Sequence, residues 1–160
     1  MDLSAISPTL LVASLMVAAT PILLAAIGEL VVEKSGVLNL GVEGMMITGA
    51  FSGFAAAVLT GSPMVGFLCA AIGGAALSVI FAILTQYFLS NQVATGLALT
   101  LFGLGLSAML GQSYVGIKPP VSAKLDLPLI SDIPVIGPIL FSHDFTVYAA
   151  LTLVTGVWFF

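Results

Sequence analysis

Long apolar runs divided by short polar breaks constrain this chain more than any other feature. A helix needs about 20 consecutive apolar residues to cross the hydrocarbon core of a bilayer. Four runs reach about that length, and each is predicted to be a transmembrane helix: Thr9–Val32, Val42–Leu59, Met64–Leu89 and Val93–Gly111. A fifth run, Phe145–Phe160, has 16 residues and no polar residue after it. We therefore expect a helix cut in its middle and a chain that is incomplete at its C-terminus.

Composition excludes a soluble domain. Hydrophobic residues make up 60% of the 160 residues and charged residues 6%, whereas soluble domains carry about 25% charged residues. The net charge of −4 argues against nucleic acid as a partner and against a basic anchor on an anionic membrane surface. The predicted fold is an all-α integral membrane protein embedded in the lipid bilayer. It is a polytopic helical bundle with about four complete spans and a truncated fifth.

The chain is predicted to form one transmembrane domain over residues 1–160, with an unusual segment at 112–144. That segment contains most of the prolines and the single His. Because proline interrupts helices, we expect an extramembrane loop or a short re-entrant element there. Lys34 and the lysines of this segment fall on opposite sides of a four-span bundle, so the positive-inside rule does not choose an orientation.

Two polar breaks precede the second and fourth spans. Asn39 and Glu43 stand before the second span, and Asn91, Gln92 and Thr95 stand before the fourth. Transporters build binding sites from interrupted helices of this kind, so these five residues are candidates for a solute path. The alternative interpretation is two ordinary loops with helix caps, in which Glu43 stabilises the helix start.

No catalytic set is evident in the sequence. His143 stands beside Asp144 in a polar segment, where a solvated loop residue is expected, and Cys69 lies alone in an apolar run. The chain contains no glycine-rich phosphate loop of the ATPase type. We therefore predict no catalytic residue, no metal ligand and no cofactor in this chain.

Small residues at four-residue spacing predict where the helices pack. In lipid, such residues let helix backbones approach closely. The predicted packing positions are Gly49, Gly53, Gly74 and Ser78.

Two motifs resemble a known family. The segment 28–46 reads Gly-Glu-Leu-Val-Val-Glu-Lys-Ser-Gly-Val-Leu-Asn-Leu-Gly-Val-Glu-Gly-Met-Met, and 91–99 reads Asn-Gln-Val-Ala-Thr-Gly-Leu-Ala-Leu. Both are similar to motifs of permease subunits of ABC importers of the branched-chain amino acid and ribose type, especially the nucleoside and simple-sugar branch. Lys34 stands where the family usually has Arg. Family members are also longer, and their ATPase-docking loop would follow the last span seen here.

The resemblance implies a multi-pass permease of the bacterial inner membrane that works by alternating access. Its implied partners are cytoplasmic ATPase subunits, a second permease subunit and a periplasmic or lipoprotein solute-binding protein. ATP hydrolysis would occur in the partner subunits, so this chain is not expected to be an enzyme. The implied solute is a nucleoside or a sugar. The segment 112–144 would be periplasmic, and both polar breaks cytoplasmic.

Two other classes of function stay open at this point. An ion-coupled secondary transporter or channel subunit would use Glu29 or Glu43 as a proton or cation ligand, because acidic residues within spans are costly and often functional. A purely structural membrane subunit would use the polar breaks only for assembly.

Overall fold

The computed structural model describes residues 8–120 and 143–159, and the regular elements in these ranges are helices. They are α1 (Pro8–Lys34), α2 (Val42–Thr60), α3 (Pro63–Ala82) with a π-helical extension (Ile83–Tyr87), α4 (Gln92–Gly111) with a 3₁₀ turn (Gln112–Tyr114), and α5 (Phe145–Trp158). Four of these helices are long and apolar enough to cross a membrane. The prediction of a polytopic all-helical membrane bundle is therefore confirmed.

The described helices divide between two compact units. One contains α1 as far as Val31 together with α5, and the other comprises Val32–Val121. The second unit contains both polar breaks of the sequence.

The end of α1 is closed by a glycine. Gly36 has φ of +84°, a left-handed conformation that glycine adopts without steric cost. The Val37 N–H donates to the Val32 carbonyl oxygen at 3.3 Å, and the Gly36 N–H donates to the Glu33 carbonyl oxygen at 2.9 Å. This pair of bonds is the Schellman motif, which satisfies the last carbonyl groups of a helix and turns the chain toward α2.

The α2–α3 pair packs through small residues. A Cβ on Gly53 would lie 2.7 Å from the Ala70 Cβ, and a Cβ on Gly66 would lie 2.7 Å from the Ala57 Cβ. The Ser52 hydroxyl donates a shared hydrogen bond to two carbonyl oxygens, that of Gly49 in its own helix at 3.0 Å and that of Cys69 in α3 at 3.1 Å. In lipid, where apolar surface gains little from leaving the solvent, close packing and such hydrogen bonds join the helices.

Buried apolar side chains from all three helices of this unit meet in one cluster. Its members are Met45 of α2, Leu77 and Phe81 of α3, and Leu99 of α4, and Val37 of the first break packs against it. The first polar break is thus attached to the centre of the three-helix unit.

The third span ends differently from its prediction. Regular α-helix was expected as far as Leu89, but it stops at Ala82 and continues as a π-helix over Ile83–Tyr87. Leu89 then has φ of +53°. That conformation costs a leucine about 1–2 kcal/mol, because its Cβ crowds the following carbonyl group. Sequence alone gives no sign of this turn, since no glycine stands there.

The segment 112–144 is described only at its two ends. After the 3₁₀ turn, Tyr114 packs edge-on against Phe51 and Phe54 of α2, with ring centroids 5.9 and 6.1 Å apart. The chain is then irregular as far as Pro120. The predicted loop or re-entrant element otherwise lies outside the described residues.

Candidate functional site

The two polar breaks meet at one end of the three-helix unit. Leu38 and Gln92 are joined directly, since the Leu38 N–H donates to the Gln92 Oε1 at 2.8 Å. Farther along α4, the Thr100 hydroxyl donates to the Leu40 carbonyl oxygen at 3.0 Å. These two bonds fasten the 35–41 loop along the first turns of α4. We call the five predicted path residues the helix-head cluster: Asn39, Glu43, Asn91, Gln92 and Thr95.

Asn39 is buried, with 6% of its surface exposed. Its Oδ1 accepts a hydrogen bond from the Gly41 N–H at 2.9 Å, and its Nδ2 lies 3.5 Å from the Met45 Sδ. A side-chain oxygen that accepts from the N–H two residues on makes an Asx turn. Asn39 therefore shapes the entry into α2 and holds its amide against the apolar cluster.

Asn91 and Thr95 organise the start of α4. Asn91 is exposed, and its Oδ1 accepts from the Ala94 N–H at 3.0 Å. This is the side-chain cap expected from its residue type. The Thr95 and Ser90 hydroxyl oxygens are 2.8 Å apart, and the Ser90 hydroxyl donates to the Leu84 carbonyl oxygen at 2.7 Å. Because the single hydroxyl hydrogen of Ser90 is donated to the Leu84 carbonyl oxygen, the Thr95 hydroxyl is the donor in its bond to Ser90.

Glu43 is the one charged residue of the cluster. It is exposed in the first turn of α2, where the positive end of the helix dipole favours a carboxylate. Four members of the cluster use polar atoms to hold the protein together, and Glu43 presents its charge outward. The amide NH₂ groups of Asn91 and Gln92 remain as further donors.

Glycine-to-backbone contact brings α2 and α4 together below this cluster. A Cβ on Gly44 would lie 2.5 Å from the Leu99 carbonyl oxygen, and a Cβ on Gly103 would lie 2.6 Å from the Gly44 carbonyl oxygen. At the top of the crossing, a Cβ on Gly96 would lie 2.9 Å from the backbone nitrogens of Leu40 and Gly41. Only glycine fits at these positions with the helices at this spacing.

The residues that make this crossing are not among the four predicted packing positions. Gly96, Thr100 and Gly103 are spaced four and three residues apart, so they lie on one face of α4. This spacing in the sequence indicates a face of α4 that can pack closely against another helix. The partners of Thr100 and Gln92 could not be read from it, because these hydrogen bonds span 60 and 54 residues.

The predicted packing residues have different surroundings in the structure. Gly49 is close to α3, since its Cβ would lie 2.9 Å from the Ala70 carbonyl oxygen, and Gly53 packs there too. A Cβ on Gly74 would lie 3.5 Å from the Met45 carbonyl oxygen. Ser78 is exposed.

The ionisable groups form no metal site in the described residues, where no three His, Cys, Asp or Glu side chains cluster. Glu29, the other acidic candidate, is half-buried in α1. It belongs to the unit that α1 shares with α5, and not to the unit of the helix-head cluster.

Comparisons with known proteins identify the family. Residues 11–160 match the profile described as branched-chain amino acid transport system, permease component. No solved structure matches the chain significantly.

Curated relatives belong to the branch that the sequence motifs indicated. The chain is 41% identical to a putative glucose ABC transporter permease of Haloferax volcanii, over 89% of this chain and 45% of that protein. It is 33% identical to a guanosine ABC transporter permease of Bacillus subtilis, over 94% of this chain and 51% of that protein. It is 30% identical to a nucleoside ABC transporter permease of Lactococcus lactis, over 84% of this chain and 45% of that protein.

The chain spans about half the length of these relatives. The resemblance inferred from 28–46 and 91–99 is confirmed by the profile match, which covers nearly the whole chain. The four membrane-spanning helices and this match together place the chain in the family of ABC-type permease components of branched-chain amino acid transport systems.

Proposed function

We propose that this chain contributes transmembrane helices to the solute path of an ATP-driven importer. The observation that carries the proposal is the family match over residues 11–160. The solute is a nucleoside or a simple sugar, which is supported by the names of the relatives in Haloferax, Bacillus and Lactococcus. We place the permease in the bacterial inner membrane.

The proposed partners follow from the family. Cytoplasmic ATPase subunits would supply the energy, a second permease subunit would complete the path, and a periplasmic or lipoprotein binding protein would deliver the solute. The described residues hold no metal cluster, and the proposed activity calls for no covalent chemistry in this chain.

The helix-head cluster is the proposed border of the path. Its support is the meeting of two helix starts at one end of the unit, where the Leu38–Gln92 hydrogen bond joins two polar breaks. Positive helix ends and exposed amide groups offer hydrogen-bond donors to a polar solute. Glu43 adds a carboxylate that accepts hydrogen bonds from sugar hydroxyl groups.

Uptake measurements test this function. Cells lacking the native gene would be complemented with the wild-type gene, and import of labelled guanosine, glucose and leucine would be measured. We expect import of guanosine or glucose that stops when ATP is depleted. Import that follows an ion gradient and survives ATP depletion would instead support the ion-coupled transporter.

Substitutions in the helix-head cluster test its role separately. Asn39→Ala and Asn91→Ala are expected to lower uptake at least several-fold, with protein abundance in the membrane measured as the control for folding. Glu43→Gln keeps the shape of an exposed side chain and removes its charge, so its abundance should stay unchanged while the apparent KM rises. Unchanged uptake in both asparagine variants would exclude the cluster from the path.

A further inference from the structure

The connection from α3 to α4 carries an apolar tip formed by Tyr87, Phe88 and Leu89. Their exposed fractions are 82%, 67% and 82%. The Tyr87 and Phe88 rings pack edge-on against each other, with centroids 5.4 Å apart. Three consecutive large apolar side chains thus project from the three-helix unit.

The backbone of the tip is held in one shape from within. The Phe88 N–H donates to the Ile83 carbonyl oxygen at 3.1 Å, as a π-helical turn requires, and the Ser90 N–H donates to the Leu84 carbonyl oxygen at 3.0 Å. The Ser90 hydroxyl reaches the same Leu84 oxygen at 2.7 Å. These bonds force Leu89 into its left-handed conformation and hold the tip in a defined direction.

The left-handed backbone conformation is unfavourable for a leucine. Among the described residues the other positive φ angles belong to Gly36, Gly61 and Gly116, whereas Leu89 has a side chain. A strained residue persists where something else offsets its cost. The hydrogen bonds to the Ile83 and Leu84 carbonyl oxygens hold the backbone in this conformation, while the Leu89 side chain is almost fully exposed on the described chain. An apolar environment outside the chain would accommodate that side chain.

The position of the tip along its span indicates which environment that is. The α3 helix and its π extension run from Pro63 to Tyr87, 25 residues in all. At 1.5 Å per residue this is about 37 Å, which exceeds the roughly 30 Å of the hydrocarbon core. The tip therefore falls in the boundary layer between acyl chains and headgroups, where tyrosine is favoured because its ring is apolar and its hydroxyl polar.

The tip is also too small for a stable protein interface. Aromatic side chains bury about 150–250 Å² each, and a stable interface takes about 800 Å² per partner. Exposed polar residues, Gln86 and Asn91, stand on either side of the tip.

We propose that Tyr87, Phe88 and Leu89 form an interfacial lipid anchor that inserts into the boundary between headgroups and acyl chains. The anchor fixes the depth of the α3–α4 connection, and with it the depth of Asn91 and Thr95. This role is independent of the solute that the permease carries.

Fluorescence quenching in vesicles tests the anchor. The native tryptophan is removed by Trp158→Phe, and an indole is introduced by Leu89→Trp. The protein is reconstituted in phosphatidylcholine vesicles whose lipids carry bromine either near the headgroup or near the bilayer centre. We expect a blue-shifted emission that is quenched at least twofold more by bromine near the headgroup.

A reference variant calibrates the depth. Ile72→Trp places the indole in the middle of α3 at a side chain that is 67% exposed, and bromine near the bilayer centre should quench it more strongly. Tyr87→Trp serves as a second probe of the tip if Leu89→Trp does not fold, and the same pattern is expected. A water-like emission from the tip without quenching overturns the proposal. A blue-shifted emission that neither brominated lipid quenches also overturns it, because protein and not lipid would then cover the tip.

Discussion

At the scale of single residues, the buried hydroxyl of Thr48 differs from the hydroxyls of three other helix threonines. Thr20, Thr60 and Thr85 each donate to the carbonyl oxygen four residues earlier, at 2.7–2.8 Å. Thr48 is buried, with 9% exposed, and its hydroxyl makes no hydrogen bond within the described chain. The carbonyl oxygen four residues before it belongs to Gly44, which faces Gly103 at the helix crossing.

Thr48→Val should raise the stability of the protein by about 1 kcal/mol, because valine has the same shape and removes a buried hydroxyl without a partner. The measurement is the thermal unfolding midpoint in detergent micelles. Thr85→Val is the matched control, since it removes a hydroxyl that donates to the Phe81 carbonyl oxygen at 2.8 Å, and it should not stabilise. Equal effects of the two substitutions would contradict the assignment of Thr48 as unsatisfied.

At the scale of elements, the α2–α4 crossing depends on backbone contact. A Cβ on Gly103 would lie 2.6 Å from the carbonyl oxygen and 2.8 Å from the Cα of Gly44. Backbone atoms of a packed helix cannot give way as the end of a flexible side chain can. Gly105 is on the same helix, and a Cβ there would meet nothing within 4 Å.

Gly103→Ala should destabilise the protein by about 1–3 kcal/mol, which is the usual cost of forcing extra volume into a packed contact. Gly105→Ala should stabilise it by up to about 1 kcal/mol, because alanine is the better helix former. Thermal unfolding in micelles gives both values under one condition. If the two variants shift the midpoint equally, the close crossing at Gly44 is not what holds α2 against α4.

At the scale of the whole molecule, the helices of the Val32–Val121 unit alternate in direction. The hydrogen bond from Leu38 to Gln92 puts the connection before α2 and the start of α4 at the same end. The α2–α3 turn, with Ser62 before α3 and Gly61 closing α2 at φ of +67°, lies at the other end of α2. Membrane-spanning helices then place these two ends on opposite sides of the bilayer.

Cysteine labelling checks this arrangement. In a Cys69→Ala background, Ser35→Cys and Asn91→Cys should react with a membrane-impermeant maleimide from the same side of sealed vesicles. Ser62→Cys should react only from the other side, and it removes no side-chain cap, because Ser62 makes none in the structure. Labelling of Ser35→Cys and Asn91→Cys from different sides would contradict the fold of this unit.

Predictability followed the range of the interaction. The start of α2 was predicted at Val42 and observed there, and α4 begins one residue before its predicted start. The Asn91 cap also follows local rules, since its partner is three residues away. The π extension and the left-handed Leu89 are an exception to this trend: they were not predicted although the bonds of Ser90 to Leu84 and Thr95 span only six and five residues, because nothing in the residue types marks that pairing. The path role assigned to the helix-head cluster stays a prediction.

The number of membrane helices, their approximate ends and the family were all predictable from the amino-acid sequence. The physical reason is that an apolar run of sufficient length in lipid must satisfy its backbone hydrogen bonds internally, and a helix does this locally. The packed helices were needed to show that Gly44 meets Gly103, that Gln92 holds Leu38 and that Asn39 turns inward. The Gly44–Gly103 and Leu38–Gln92 contacts join segments more than 50 residues apart. Periodicity shows which face of a helix carries small or polar residues, but it does not show which other helix will pack against that face.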